Sequence, residues 1–284
     1  MSLEIDFYSD WIEILRNELV QMGHPVPAVK DPHEIALMYF DEYARRVKPK
    51  PRKVWKSKEF QCPMELQAGL DLLETKVIAG GDLTPHLSRK ILKPGFQDGL
   101  LNDWGIQHFH LGTQVRSDGL IESTKEVLFA RVTETDFYEI RIAAHGTWPE
   151  VEMMEILHSN WPETIRQFRS QFTSGANATT AEVVRAARAV GVLMPIRTHD
   201  GTLYYPLGGG IASDGSGSQA TETADTEAYR VKDLQEHVVK NIATFKLELV
   251  KHGYSEGKPL KAKLVLEGGK LKVKFPDYDY AARL

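Results

Sequence analysis

Three short apolar segments within residues 104–148 constrain this chain more than any other feature. They read Trp-Gly-Ile-Gln-His-Phe-His-Leu-Gly, Glu-Val-Leu-Phe-Ala-Arg-Val-Thr and Asp-Phe-Tyr-Glu-Ile-Arg-Ile-Ala-Ala-His-Gly-Thr-Trp. Each is rich in β-branched or aromatic residues and bounded by Gly, Asp, Ser or Thr, which is a pattern of strands. A three-stranded antiparallel meander is expected. Side chains alternate along a strand, so Trp104, Ile106, His108 and His110 share one face while Gln107, Phe109 and Leu111 take the other. A tight connection around Glu134 and Thr135 sets Phe129 near Ile140 and Arg131 near Tyr138. The third strand ends at His145. Thr147, Pro149 and Glu150 then carry capping signals for a helix through residue 157, which puts His145 beside a helix N-terminus that favours anions.

A length of 284 residues and a hydrophobic content of 42% suit one large folded unit or two to three small ones. The single cysteine, Cys62, excludes an intramolecular disulfide and a cysteine-based zinc site, and it fits a reducing compartment. No apolar run is long enough to span a bilayer, and Met-Ser-Leu-Glu-Ile-Asp does not read as a signal peptide. A cytoplasmic protein without a membrane partner is expected. The net charge of −4 means that any contact with nucleic acid needs locally concentrated charge.

Such a concentration exists in residues 45–58, where eight of fourteen residues are basic and none is acidic. Its prolines lack the N–H that a helix needs, so a stiff linker is expected. One reading makes it a solvated connector. The other makes Arg45, Arg46, Lys48, Lys50, Arg52, Lys53 and Lys56 contacts to an RNA backbone, with Trp55 free to stack on a base.

Upstream, residues 5–22 form an amphipathic helix, and a second helix starts at Asp31 and Pro32 and runs to about Val47. Downstream, residues 53–60 read as a strand, 63–77 as a helix with Leu66, Leu70, Leu73 and Val77 on one stripe, and 86–92 as a shorter helix. The meander and its closing helix follow. After residue 172 come a helix opening at the capping box of Thr179 and Glu182, a hairpin across Asp200 and Gly201, and a glycine-rich stretch from Gly208. That stretch lacks phosphate-loop spacing and reads as a flexible loop. A helix over 231–250 leads to a last hairpin across Gly268 and Gly269. Leu264 opposes Val273 there and Leu266 opposes Leu271, while Lys261, Lys263, Lys270, Lys272 and Lys274 take the other face. The lysine face is either a protected edge ribbon or a surface for an anionic partner. The expected organisation is an N-terminal helical unit (1–50), a central core (51–172) and a C-terminal α+β unit with β-hairpins (173–284).

The order strand, helix, helix, three strands, helix over the central region resembles the RelE/HigB-like toxin ribonucleases, on the small-ribonuclease fold shared with barnase-like enzymes. The likeness rests on that order and on three local stretches. These are Gly81-Asp-Leu before the second helix, the strand Gly105-Ile-Gln-His-Phe-His-Leu, and Leu128-Phe-Ala-Arg followed by the segment ending in His145 and Gly146. The lysine-rich run usual after the third strand in that family is replaced here by Gly146-Thr-Trp-Pro. The resemblance implies an α+β core with a small antiparallel sheet, an endoribonuclease acting as a toxin or defence effector, RNA as substrate and a cognate antitoxin as partner.

Metal-independent RNA cleavage needs a base for the 2′-hydroxyl, an acid for the leaving oxygen and cations for the phosphate. Histidine serves as base or acid near neutral pH. His108, His110, Arg116, Arg141 and His145 are the candidate catalytic residues, with no cofactor and no metal. Arg131 belongs with Val127 and Phe129 as a structural residue. Two alternatives stand beside this one. His-x-His on a strand can present two imidazoles to an ion, making a metal-dependent hydrolase. A non-catalytic RNA- or protein-binding module would use the basic run alone.

Overall fold

The computed structural model describes residues 3–24, 26, 30–145, 150–171, 178–212 and 215–283. In chain order its elements begin with β1 (Leu3–Ile5), α1 (Phe7–Gln21), α2 (Pro32–Ala44), β2 (Lys53–Lys56), α3 (Gln67–Ala79) and α4 (Gly99–Trp104). Next come β3 (Ile106–His110), β4 (Glu126–Val132), β5 (Asp136–Ala144), α5 (Glu150–Asn160), α6 (Ala181–Ala189), β6 (Ile196–Arg197) and β7 (Leu203–Tyr204). The chain closes with α7 (Ser218–Lys240), α8 (Ile242–Val250), β8 (Leu260–Glu267), β9 (Lys270–Phe275) and β10 (Tyr280–Arg283). The fold class is α+β. Among the described residues no helix is long and apolar enough to cross a membrane.

The chain divides into two compact units, not three successive ones. Residues 1–40 and 220–284 make one, and residues 41–219 make the other. The expected N-terminal helical unit therefore does not stand alone. Its first residues form a strand, not the start of a helix: β1 pairs in parallel with β8, with Glu4 opposite Lys261. Asp6 then caps α1 by accepting the Ser9 N–H at 3.0 Å, and Phe7, Trp11, Ile12, Leu15 and Leu19 form its buried stripe. That stripe shares a core with Leu260, Ala262, Leu264, Val273 and Phe275 of the sheet β1-β8-β9-β10.

In the last hairpin Leu264 faces Val273 and Leu266 faces Leu271, as the alternation requires. Only the base of the hairpin is covered, β8 by β1 along Leu260–Ala262 and β9 by β10 along Lys272–Phe275, so the ribbon is an edge only toward its tip. The helix expected over 231–250 begins earlier, at Ser218, and breaks at Asn241 into α7 and α8. Its first turns bury small residues such as Ala220 and Ala224, which leave only a faint apolar stripe in the sequence.

The second unit is built on the sheet β2-β5-β4-β3. The β3–β4–β5 meander is antiparallel, but β2 lies parallel to β5, so the sheet is mixed. Arg131 faces Tyr138 as expected, whereas a bulge between Phe129 and Ala130 puts Phe129 opposite Arg141 instead of Ile140. One face carries Phe109, Leu128, Ala130 and Phe137 against Leu70, Leu73 and Val77 of α3. The other carries Ile106, Val127 and Phe129 against Trp104 of α4 and Met153, Met154 and Leu157 of α5. Helix α3 comes very close to the sheet: a Cβ on Gly69 would lie 1.7 Å from the Leu111 carbonyl oxygen. The expected helix over 86–92 is two 3-10 turns, Thr84–His86 and Arg89–Leu92.

In the described part of the glycine-rich stretch, Gly208 and Gly210 pack against the end of α4. Gly208 and Gly210 donate their N–H groups to the carbonyls of Asp103 and Asn102 at 2.9 and 2.8 Å, satisfying the C-terminal end of α4. A Cβ on Gly208 would sit 2.2 Å from the Asn102 carbonyl oxygen, so the close approach requires glycine. The capping residues expected at 147 and 149 lie outside the described residues.

Candidate active site

Strand alternation brings His108 and His110 of β3 to the same face, and the end of β5 adds His145. The three imidazoles meet. Ring centres are 5.3 Å apart for His108 and His145, 5.2 Å for His110 and His145, and 6.3 Å for His108 and His110.

Their environments differ. His110 is buried, and its Nδ1 accepts the Thr124 N–H at 3.1 Å, which fixes the proton on Nε2. Burial pushes its pKa down to about 4, and the neighbouring imidazoles act in the same direction. His110 therefore stands behind His145 as a neutral ring. His145 is exposed. His108 lies between these extremes and lines a cavity of about 220 Å³ together with His145, Lys90, Phe96, Gln97 and Asp98, over apolar walls from Leu100, Val127 and Phe129.

Asp98 has two tasks. As the N-cap of α4 it accepts the Leu101 N–H through Oδ1 at 3.2 Å, and its Oδ2 stands 4.0 Å from Nδ1 of His108. The Nε2 of His108 is buried without a hydrogen-bond partner. Burial lowers the His108 pKa, His145 and Lys90 lower it further, and Asp98 opposes them. The result is a ring that is neutral at pH 7 and held near a carboxylate. Lys90 lies with its ammonium 4.8 Å from the centre of the Phe96 ring, on the same cavity wall.

The two candidate arginines are elsewhere. Arg116 is exposed in the 112–122 loop and faces Asp118 at 3.4 Å. Arg141 forms an ion pair with Glu152 in a separate cavity of about 370 Å³ that also holds Glu59 and Glu155. Alternation alone puts Arg141 and His145 on one face, but the ion pair with α5 draws the guanidinium away. Sequence reasoning misses Asp98 and Lys90. Asp98 carries a signal, an Asp before Gly-Leu-Leu at a helix start; Lys90 sits in a 3-10 turn with no pattern of its own.

The basic run is folded into the unit and is no extended linker. Arg45 is buried between Asp41 and Glu42, and Arg46 also reaches Glu42, at 3.1 Å. Arg52 is buried and donates to the carbonyls of Thr133, Lys48 and Lys50. Lys50 pairs with Glu134 and Lys56 with Glu74, while Lys48 lies over Tyr43 and Lys53 over Trp55. Trp55 donates its indole N–H to Asp136 at 2.7 Å. Lys50, Arg52, Trp55 and Lys56 stitch β2 and its approach to neighbouring elements, while Arg45, Arg46 and Lys48 are held by the helix before them.

A metal finds no ready seat. Among the described residues no three His, Cys, Asp or Glu side chains are placed to hold an ion. The His108 and His110 rings are inclined at 76°, and one nitrogen of His110 is already taken by Thr124. Comparison with protein-family models, with curated proteins and with solved structures found no match.

Proposed function

We infer that the chain is a metal-independent endoribonuclease whose centre is His108, His145 and Lys90. The observation that carries this reading is His108 itself: a neutral imidazole beside a carboxylate, with its other nitrogen unpartnered, on the wall of a cavity shared with an exposed second imidazole and an ammonium. His108 takes the proton of the 2′-hydroxyl as that oxygen attacks the adjacent phosphorus. His145, exposed at the cavity mouth, gives a proton to the departing 5′-oxygen. Lys90 neutralises charge developing on the phosphate. The products are a 2′,3′-cyclic phosphate and a 5′-hydroxyl. Asp98 orients His108 and does not transfer the proton. Phe96, Leu100 and Phe129 give the cavity an apolar lining suited to one nucleobase.

Incubation with total RNA in the presence of EDTA tests this. Cleavage leaving cyclic-phosphate ends, lost by about 100-fold or more in His108→Ala and in His145→Ala, is the expected result. Activity that appears only with added divalent metal, or RNA left intact under all conditions, overturns it.

A further inference from the structure

We propose that the outer face of the sheet β1-β8-β9-β10 binds the phosphate backbone of single-stranded nucleic acid. The inner face is settled: Leu260, Ala262, Leu264, Val273 and Phe275 are buried in the core. Alternation therefore sends Lys261 and Lys263 of β8, Lys270, Lys272 and Lys274 of β9, and Arg283 of β10 outward. Among the described residues the acidic groups that meet this face are Glu4, paired with Lys261 at 2.6 Å, Glu267, paired with Lys272 at 2.9 Å and also acting on Lys274, and Asp277, which acts on Lys261. Asp10, the carboxylate nearest Lys263 on α1, is turned to the Leu264 N–H at 2.8 Å. Lys263, Lys270, Lys274 and Arg283 form no ion pair among the described residues.

The register makes the excess costly. Lys263 lies directly opposite Lys274, and Lys272 directly opposite Arg283. Like charges in facing positions destabilise a sheet, and a single carboxylate in either place would relieve the repulsion. A face that keeps both pairs in a protein of net charge −4 is fitted to an anion array.

Geometry favours nucleic acid among such arrays. Neighbouring strands are about 4.8 Å apart and alternate residues on a strand about 6.7 Å apart, a lattice on the scale of successive phosphates in an extended strand. Among the described residues Val265 is the largest apolar side chain on the face, too small to enter a bilayer interface, so a lipid surface fits less well. It also has no aromatic platform. Binding there follows the backbone and ignores base sequence. This surface is separate from the histidine centre and does not depend on the proposed cleavage.

The test uses the full chain and a fluorescein-labelled 2′-O-methyl oligouridylate dodecamer, whose blocked 2′-oxygen keeps binding independent of cleavage. Anisotropy gives Kd between about 50 and about 200 mM salt. The combined variant Lys263→Gln, Lys270→Gln, Lys274→Gln and Arg283→Gln is expected to weaken binding at least tenfold at the lower salt. It should also flatten the slope of log Kd against log salt by up to about three, at about 0.7 per phosphate contact. Lys263→Arg, Lys270→Arg and Lys274→Arg together keep the charge and retain binding, which separates loss of contact from loss of fold. Unchanged affinity and slope in the glutamine variant overturn the proposal. So does equal or tighter binding to phosphatidylserine vesicles or to polyglutamate.

Discussion

His110 stacks on His145, with ring centres 5.2 Å apart and planes inclined at only 20°. One ring is buried and neutral and the other is exposed, so the first serves as a wall that sets the orientation of the second.

That relationship separates the roles of two residues that stand on equal footing in the sequence. His110→Ala is expected to lower RNA cleavage roughly tenfold through loss of orientation. His110→Phe, which restores a flat ring, recovers most of the activity, whereas His145→Ala costs about 100-fold or more. Single-turnover cleavage rates decide it. A loss in His110→Phe as deep as that in His145→Ala would make His110 a direct participant.

Asp98 opposes the lowering of the His108 pKa. Asp98→Asn keeps an α4 cap but removes the charge, so the His108 pKa falls further. The acidic limb of the pH–rate profile, where His108 must lose its proton to act as base, then moves to lower pH. Loss of orientation reduces the plateau as well. An acidic limb that stays in place or moves upward contradicts the role of His108 as base.

Two buried imidazoles make the fold sensitive to acid. Burial holds His86 and His110 at about 4, below the ordinary histidine value of 6.5. Their contribution is fully present above pH 6.5 and is lost as pH falls toward 4, because the unfolded chain takes up those protons first. A tenfold difference in proton affinity between folded and unfolded chain is worth about 1.4 kcal/mol, so the pair can remove a few kcal/mol across that window. Urea unfolding at pH 7 and pH 4.5 measures the loss. The double variant His86→Gln and His110→Gln is expected to show a shallower fall.

Glu139 acts in the opposite direction. It is fully buried on β5, and both of its carboxylate oxygens lack hydrogen bonds. Burial raises its pKa to about 8, Glu74 adds to the rise, and Lys56, at 3.9 Å, opposes it. A raised carboxyl contributes stability that is present below its unfolded value of 4.5 and is lost as pH rises through about 8. Glu139→Gln should therefore leave the melting temperature nearly unchanged at pH 4.5 and raise it at pH 8. Equal effects at both pH values would place the charge elsewhere.

Local pattern carries the parts of this protein that depend on neighbours in sequence. Alternation puts His108 and His110 on one face, the short connection at Glu134 and Thr135 pairs Arg131 with Tyr138, and Gly268 and Gly269 set Leu264 against Val273. Each follows from the period of a strand and the reach of a tight turn. The bulge at Phe129 is not legible, because nothing in the residues themselves marks where an extra one is accommodated. Long-range pairing is hidden too. Leu3–Ile5 is too short to read as a strand alone and becomes one only because β8 supplies its hydrogen bonds. The basic run shows the limit most clearly: its charges read as free, yet Arg52 is buried against the Thr133 carbonyl and Lys50 and Lys56 meet Glu134 and Glu74, partners that only folding brings to them, whereas Arg45 pairs with Asp41 and Glu42 one helical turn before it. Asp98 and Lys90 reach His108 for the same reason, across a cavity that exists only in three dimensions.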